Sequence, residues 1–467
     1  MSTLSALTRK PQVSGRMPVL PLLAVCLGYF MVMLDVTVVT VALPVIGTAL
    51  DAGVTGLQWV VDGYTLVFAG LLLFGGGLGD RLGSRRVFLA GLTVFTAASA
   101  GCAVAPVPGV LVLARLVQGL GAALMVPASL ALLRAAYPDQ AARARAFGVW
   151  GMVAGLGGGA GPVLGGVLVA SCGWRSVFLM NLPVGIAAVL LTVRHLPVSP
   201  AAATRPGLDL PAQAAVTLSL AGLTTGCIEA GALGWTHPGV LAAFLTFAVA
   251  LAAFIVLERR SRAPMLPLAL FRARSFSASA VIGVLLNTGF YGMLFLAPLY
   301  FQRVHHYSAL HTGIVLVPTV GVTALGSALA GRITARTGPR LPMVTGLLIG
   351  AAGLSGWLLA GPNTPYLVLV APMVAAGLGI SLTMPASTAV VMESVPAERG
   401  GAAAAVFNAA RQIGSALGVA LFGTLIAGGL VTGLHTAILI GAAGFLAAAV
   451  LAARCVPPGV RGAPHGA

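Results

Sequence analysis

Five charged side chains fall where a charge is expensive: Asp35, Asp62, Glu229, Arg115 and Arg411 lie within or at the edge of long apolar runs. A carboxylate at the centre of such a run costs about 2.5–3.5 kcal/mol on the insertion scale. It avoids that cost by taking a proton or by pairing with a cation, and a group that must choose between the two is what proton coupling needs. Asp35, in Leu34-Asp-Val-Thr-Val-Val-Thr-Val-Ala-Leu-Pro44, lies deepest and is the first candidate. The alternative is a static aspartate that is ion-paired or bonds one helix to another. Asp62, in Gln58-Trp-Val-Val-Asp-Gly-Tyr-Thr-Leu66, either shares the proton path or sits wetted beside Trp59. Arg115 stays charged, so it needs a carboxylate, backbone carbonyls or a water-filled cavity. Arg411 has the same need, and no partner for it is readable. Glu229 either assists cation binding or belongs to a peripheral helix.

The elements that must position these groups are membrane helices. Of 467 residues, 58% are hydrophobic and 8% charged, with a mean hydropathy of +1.01. A soluble protein of this size carries roughly a quarter charged residues. Apolar runs near 19–46, 58–78, 87–106, 110–133, 146–170, 176–193, 210–231, 239–257, 277–301, 310–331, 341–360, 367–387, 404–427 and 432–453 predict fourteen spans. Arg9, Lys10 and Arg16 precede the first run, which is too long for a secretory h-region and reads as a retained span.

The net charge of +16 would suggest nucleic acid in a soluble chain. Here 22 of the 26 basic residues fall in alternate loops and the tails, with only Arg175 and Arg303 in the others. By the positive-inside rule this predicts a multi-pass inner-membrane protein with both termini cytoplasmic, and no nucleic-acid partner. The five cysteines have no paired or ligand spacing. His305, His306 and His311 cluster without carboxylate or cysteine company and read as a solvated loop, so no metal site is expected.

Two segments repeat. Gly76-Gly-Leu-Gly-Asp-Arg-Leu-Gly-Ser-Arg85 matches Gly331-Arg-Ile-Thr-Ala-Arg-Thr-Gly-Pro-Arg340 at its Gly, Arg, Gly and Arg positions. Gly119-Leu-Gly-Ala-Ala-Leu-Met-Val-Pro-Ala-Ser129 matches Gly377-Leu-Gly-Ile-Ser-Leu-Thr-Met-Pro-Ala-Ser387 at nearly the same offset. The repeat predicts two parallel six-helix halves, residues 1–200 and 266–467, separated by an inserted helix pair in 201–265. Parallel halves of this kind bracket a midplane site and rock about it.

These segments resemble the major facilitator superfamily, and specifically its fourteen-helix drug:proton antiporter branch, over nearly the whole chain. The first span resembles that branch's first-helix motif, with Thr40 where Asn is usual. The loop motif carries Gly76, Asp80, Arg81, Gly83 and Arg85, and the resemblance implies a conformational latch there. The two glycines suit a tight turn and close helix approach, and the second copy has Ala335 in place of the acid. The resemblance also turns Arg115 toward a central cavity, beside Asp35.

Gly157-Gly-Gly-Ala-Gly-Pro-Val-Leu-Gly-Gly166 matches the exporters' antiporter signature at every defined position, through Gly157, Gly161, Pro162, Gly165 and Gly166. Small faces let helices pack closely and Pro162 bends its helix, so a dry seal against leakage is expected. Gly155-Leu-Gly-Gly-Gly-Ala160 imitates a dinucleotide fingerprint, but no strand precedes it. Trp174-Arg-Ser-Val-Phe-Leu-Met-Asn-Leu-Pro-Val-Gly185, Ser308-Ala-Leu-His-Thr-Gly313 and Asn408-Ala-Ala-Arg-Gln-Ile-Gly414 also resemble the branch.

The expectation is therefore an all-α integral membrane protein that exports hydrophobic or amphipathic small molecules in exchange for protons. Asp35, Asp62 and Arg115 would couple the two, the proton gradient would replace any cofactor, and a single chain would suffice. Phe30, Met31, Met33, Asn287, Tyr291 and Met293 are the candidate cavity residues. The competing reading is a proton symporter importing a metabolite. A scaffold would need a soluble domain that no loop is long enough to form, and no nucleophile–base set or phosphate loop supports an enzyme.

Overall fold

The structure is a computed structural model, described here for residues 19–137, 139–196, 209–261, 266, 268–395 and 400–458. Arg9, Lys10, Arg16, Arg205, Arg262, Arg399 and Arg461, counted above with the basic loops, lie outside the described residues. Among those described there is no strand. The helices are α1 (Val19–Ala49), α2 (Val54–Leu82), α3 (Ser84–Ala103), α4 (Pro108–Ala136) and α5 (Gln140–Cys172). Then come α6 (Ser176–Leu179, resuming as Asn181–His195), α7 (Leu210–Leu233), α8 (Pro238–Arg260) and α9 (Arg274–Arg303). Last are α10 (Ala309–Val315, resuming as Val317–Thr337), α11 (Arg340–Gly356), α12 (Tyr366–Glu393), α13 (Gly400–Leu425) and α14 (Leu430–Cys455).

Local sequence explains where these helices start and stop. Pro108 and Pro238 open α4 and α8, where a missing N–H costs nothing. The Asp139 carboxylate accepts from the Ala142 N–H at 2.8 Å and that of Asp209 from Ala212 at 3.1 Å, capping α5 and α7. Gly83 (φ 90°) and Gly338 (φ 78°) make the α2–α3 and α10–α11 turns. Both occupy the left-handed region open to glycine, and they are the matched glycines of the first repeat.

Thirteen helices among the described residues are long and apolar enough to cross a membrane. The remaining predicted span, 310–331, corresponds to α10, which is interrupted at Leu316 before Pro318. Thr319, Thr323, Ser327 and Arg332 make its long segment more polar, and two of them, Thr323 and Ser327, line the central cavity described below.

One packing plan is used twice. In the first set α2 packs on α4, α3 on α4, α1 on α5, α1 on α6 and α3 on α6. The same five pairs recur eight helices later: α10 on α12, α11 on α12, α9 on α13, α9 on α14 and α11 on α14. The second repeat explains two of them. A Cβ on Gly119 would overlap the Tyr64 carbonyl oxygen of α2, and one on Gly377 would overlap the Thr319 carbonyl oxygen of α10. Neither glycine has room for a methyl group while the backbones stay this close.

Helix α7 lies along the seam between the sets, against both α2 and α13, and α8 packs on α7. Gln213 Nε2 donates to the Gly70 carbonyl at 2.6 Å, and Thr424 Oγ1 to the Cys227 carbonyl at 2.6 Å.

Among the described residues, the side-chain hydrogen bonds joining the two sets lie at the end opposite the basic loops. Gln58 Nε2 donates to the Val419 and Ala420 carbonyls at 3.3 and 2.6 Å, and Gln302 Nε2 to the Val41 carbonyl at 2.9 Å. Toward the basic end, Gly151 and Gly155 are exposed, with open space where a Cβ would stand. The molecule is closed at one end and open at the basic end.

Candidate functional site

Asp35 and Arg115 meet. The guanidinium Nη1 donates to Asp35 Oδ2, and both side chains are buried, 0% and 1% exposed. Asp35 Oδ1 accepts from Gln118 Nε2 at 2.9 Å and from Asn181 Nδ2 at 3.1 Å. Arg115 also donates from Nε to the Val60 carbonyl at 2.9 Å and from Nη1 to Gln118 Oε1 at 2.7 Å. Gln118 and Asn181 both reach Ser99 Oγ, at 2.9 and 3.3 Å. The guanidinium lies 4.4 Å from the centre of the Tyr64 ring.

Donors from α4 and α6 thus converge on one carboxylate of α1 that accepts bonds at both oxygens, Ser99 of α3 holds two of those donors, and α2 holds the arginine. Sequence reading reached the pair but not Gln118, Asn181 or Ser99. It also expected Arg115 to face the central cavity, and here the structure differs. Neither Arg115 nor Asp35 lines the cavity, because both point inward between the helices of their own set.

Asp62 is 0% exposed and neither of its oxygens has a hydrogen-bond partner among the described residues. Of the two readings left open for it, the burial does not fit a carboxylate wetted at the interface. One turn away, Trp59 Nε1 donates to Glu229 Oε1 at 2.9 Å, which ties the inserted α7 to α2 beside this group.

The loop motif divides. Gly83 makes the turn, but Gly76 lies inside α2 with ordinary room for a Cβ, 3.7 Å from Pro127. The tight contact belongs to its neighbour Gly75, whose Cβ would overlap the Ala123 carbonyl oxygen of α4. Arg85 donates to the Val193 carbonyl at 2.6 Å, at the last turn of α6. Asp80 is exposed and Arg81 half-buried, and neither forms an ion pair among the described residues, at the end where the two sets stand apart.

The glycine signature of α5 packs in two directions. Toward α1, Gly157 meets Phe30, a Cβ on Gly161 would overlap Thr37 Oγ1, and one on Gly165 would stand 2.8 Å from the Val38 carbonyl oxygen. Toward α10, across the sets, a Cβ on Gly166 would stand 2.8 Å from the Ala309 carbonyl oxygen. A Cβ on Gly313 would overlap the Pro162 carbonyl oxygen. Gly161→Ala is expected to overpack the α1–α5 contact by about 1–3 kcal/mol. Thermal melting of the purified protein checks this, and adding Thr37→Gly should recover part of the loss.

Between the sets lies a cavity of about 320 Å³, within the range of small-molecule sites. Met33 and Tyr291 line it as expected. Phe30, Met31, Asn287 and Met293 do not. One residue is a 100° turn of a helix: Phe30 rotates onto α5, Met31 into the core, and Asn287 donates to the Gly283 carbonyl at 2.7 Å. The stripe that does face the cavity from α1 is Tyr29, Met33, Val36 and Thr37, a helical i, i+4, i+7, i+8 pattern. Tyr29 stacks on Trp150, ring centres 3.8 Å apart and planes within 2°. Arg411, whose position was open from sequence, lines the same cavity. The histidines lie at the closed end, His305 bonded to Tyr300 Oη at 2.9 Å and His311 stacked on Tyr307.

The family model described as Major Facilitator Superfamily matches residues 25–419. The chain belongs to that superfamily. It is 36% identical over 403 residues to the methylenomycin A resistance protein of Streptomyces coelicolor, covering 86% of this chain and 84% of that one. It is 38% identical over 413 residues to the multidrug resistance protein Stp of Mycobacterium tuberculosis, covering 88% and 76%. Among solved structures, a D-xylose–proton symporter superposes with a TM-score of 0.69 at 15% identity, over 95% of this chain and 98% of that one. That likeness speaks to the fold alone. This major facilitator protein is a multi-pass membrane protein with the two-bundle fold and an inserted helix pair.

Proposed function

We propose that this protein exports hydrophobic or amphipathic small molecules, drugs or antibiotics among them, across the cytoplasmic membrane in exchange for protons. The reading takes the basic end as cytoplasmic, on the distribution of arginine. The cavity then faces the cytoplasm, where an exporter collects its substrate. The observation that carries the proposal is the glycine-lined contact of α5 with α10, which closes the outer end between the sets through backbone contacts. Its residues are those of the antiporter signature, and the relatives reported above are named for resistance.

Rocking of the two helix sets would open that closure and bring Asp80 and the arginines of the loop motif together at the cytoplasmic end. Asp35, held by Arg115, Gln118 and Asn181, is the proposed proton carrier, with Asp62 as a second titrating carboxyl on the other side of α2. The inward-facing state would load substrate, and the outward-facing state would release it and take up a proton for the return.

The test is susceptibility across a chemically broad panel in a pump-deleted host expressing the wild type or Asp35→Asn at matched levels. Resistance in the wild type that disappears in the variant is the expected result. Resistance that persists in Asp35→Asn, or transport indifferent to a pH gradient, would remove Asp35 from the coupling role. Uptake of a tracer in place of exclusion would favour import.

A further inference from the structure

Among the described residues that line the cavity, one is charged, and it is Arg411. Its Nη1 reaches Asn408 Oδ1 at 3.2 Å, one turn back on its own helix, and its Nε is buried with no hydrogen-bond partner. No ion pair involves it among the described residues, and Asp35 is paired with Arg115. Tyr29 and Tyr291 line the same space as Arg411, so the charge and the aromatic wall share one cavity. A guanidinium at this depth without a counter-charge carries a standing cost, and an anion entering the cavity would relieve it.

The rest of the lining says what that anion is attached to. The Tyr29–Trp150 stack offers a broad flat face, and Phe290 and Tyr291, ring centres 5.5 Å apart, form an edge-on pair. Flat rings pack well on such surfaces. Aromatic walls alone would also attract organic cations. A cation, however, would meet Arg411 in a site that holds no carboxylate among the described lining residues. Thr323, Ser327, Ser381 and Gln412 supply hydrogen-bonding groups on the opposite wall.

We propose that the cavity selects aromatic or conjugated molecules bearing an anionic group, with Arg411 as the counter-ion and the Tyr29–Trp150 stack as the ring platform. This rests on the reading of the cavity as the substrate site and narrows it to a class by charge.

The test measures binding of 2-naphthoate and of 2-naphthylmethyl-trimethylammonium, one ring with opposite charges, to the purified full-length protein in nanodiscs by equilibrium dialysis. The wild type is expected to favour the naphthoate by about tenfold or more. Arg411→Gln should remove that preference by weakening the anion alone, and Arg411→Lys should keep much of it. Gln412→Glu, nearly isosteric and retaining Arg411, should also abolish it, which guards against a folding defect in the first variant. Equal or tighter binding of the cation by the wild type would overturn the proposal, as would an unchanged naphthoate affinity in Arg411→Gln. Failure of the export reading looks different: naphthoate would still bind with the Arg411 dependence, while cells expressing the protein would gain no resistance to any compound in the panel.

Discussion

Arg115→Leu is expected to abolish export and to destabilise the protein, and the double variant Asp35→Asn/Arg115→Leu to recover stability without recovering export. What each deletion leaves behind decides the outcome. With Arg115 gone, Asp35 keeps Gln118 and Asn181 but loses its one ion-pair partner among the described residues, at a site with no exposure. Breaking a buried pair from one side costs about 3–5 kcal/mol, whereas replacing both partners by uncharged groups is often close to neutral. An amide at position 35 can still accept from one neighbour and donate to another, so the fold survives. It cannot exchange a proton. If the pair were only a clamp between helices, export would return together with stability in the double variant. Thermal melting and susceptibility, measured on the wild type and both variants, separate the two roles.

How much of this was readable beforehand depended on the kind of constraint. Charges in apolar runs announce themselves by cost, so Asp35 and Arg115 were legible although they lie far apart in the chain. Gly83 and Gly338 were legible because a left-handed turn between two helices accepts few other residues. The glycines of α5 were legible for a similar reason, since two backbones in contact leave no room for a side chain.

What hydropathy does not carry is the azimuth. A helix that is apolar on every side offers no polar face to orient it, so Phe30 could not be told from Tyr29, nor Gly76 from Gly75. The partners of Asp35 come from α4 and α6, with Ser99 of α3 behind them, and nothing in their local sequence points to a shared carboxylate. Arg411 was visible as a problem but not as a solution, because its surroundings are assembled from both helix sets. Helix α10 shows the converse: its threonines and serine lower its apolarity because part of it faces the cavity rather than lipid.

The second large effect is expected at Gly313, and it should fall on conformation rather than on folding. A methyl group there would overlap the Pro162 carbonyl oxygen, with Gly166 Cα 3.3 Å away. Both obstacles are backbone, so no rotamer relieves the clash and α10 must move off α5. Gly161 differs, because its obstacle is the Thr37 side chain within one helix set, and repacking there separates nothing across the sets. Gly313 and Pro162 belong to opposite sets, and separation of those sets at this end is the motion that alternating access requires. Overpacking of this size, about 1–3 kcal/mol, shifts a two-state equilibrium by about tenfold or more. Gly313→Ala should therefore populate the outward-open state at the expense of the one described here. In a background without the native cysteines, Met33→Cys on the cavity wall reports the change through labelling by a membrane-impermeant maleimide added outside intact cells. Labelling should accelerate by about tenfold when Gly313→Ala is added, with the purified variant still monodisperse. Unchanged labelling with normal export would mean that the α5–α10 contact is incidental to closure, and the seal would have to be sought at Gln58 and Gln302 instead.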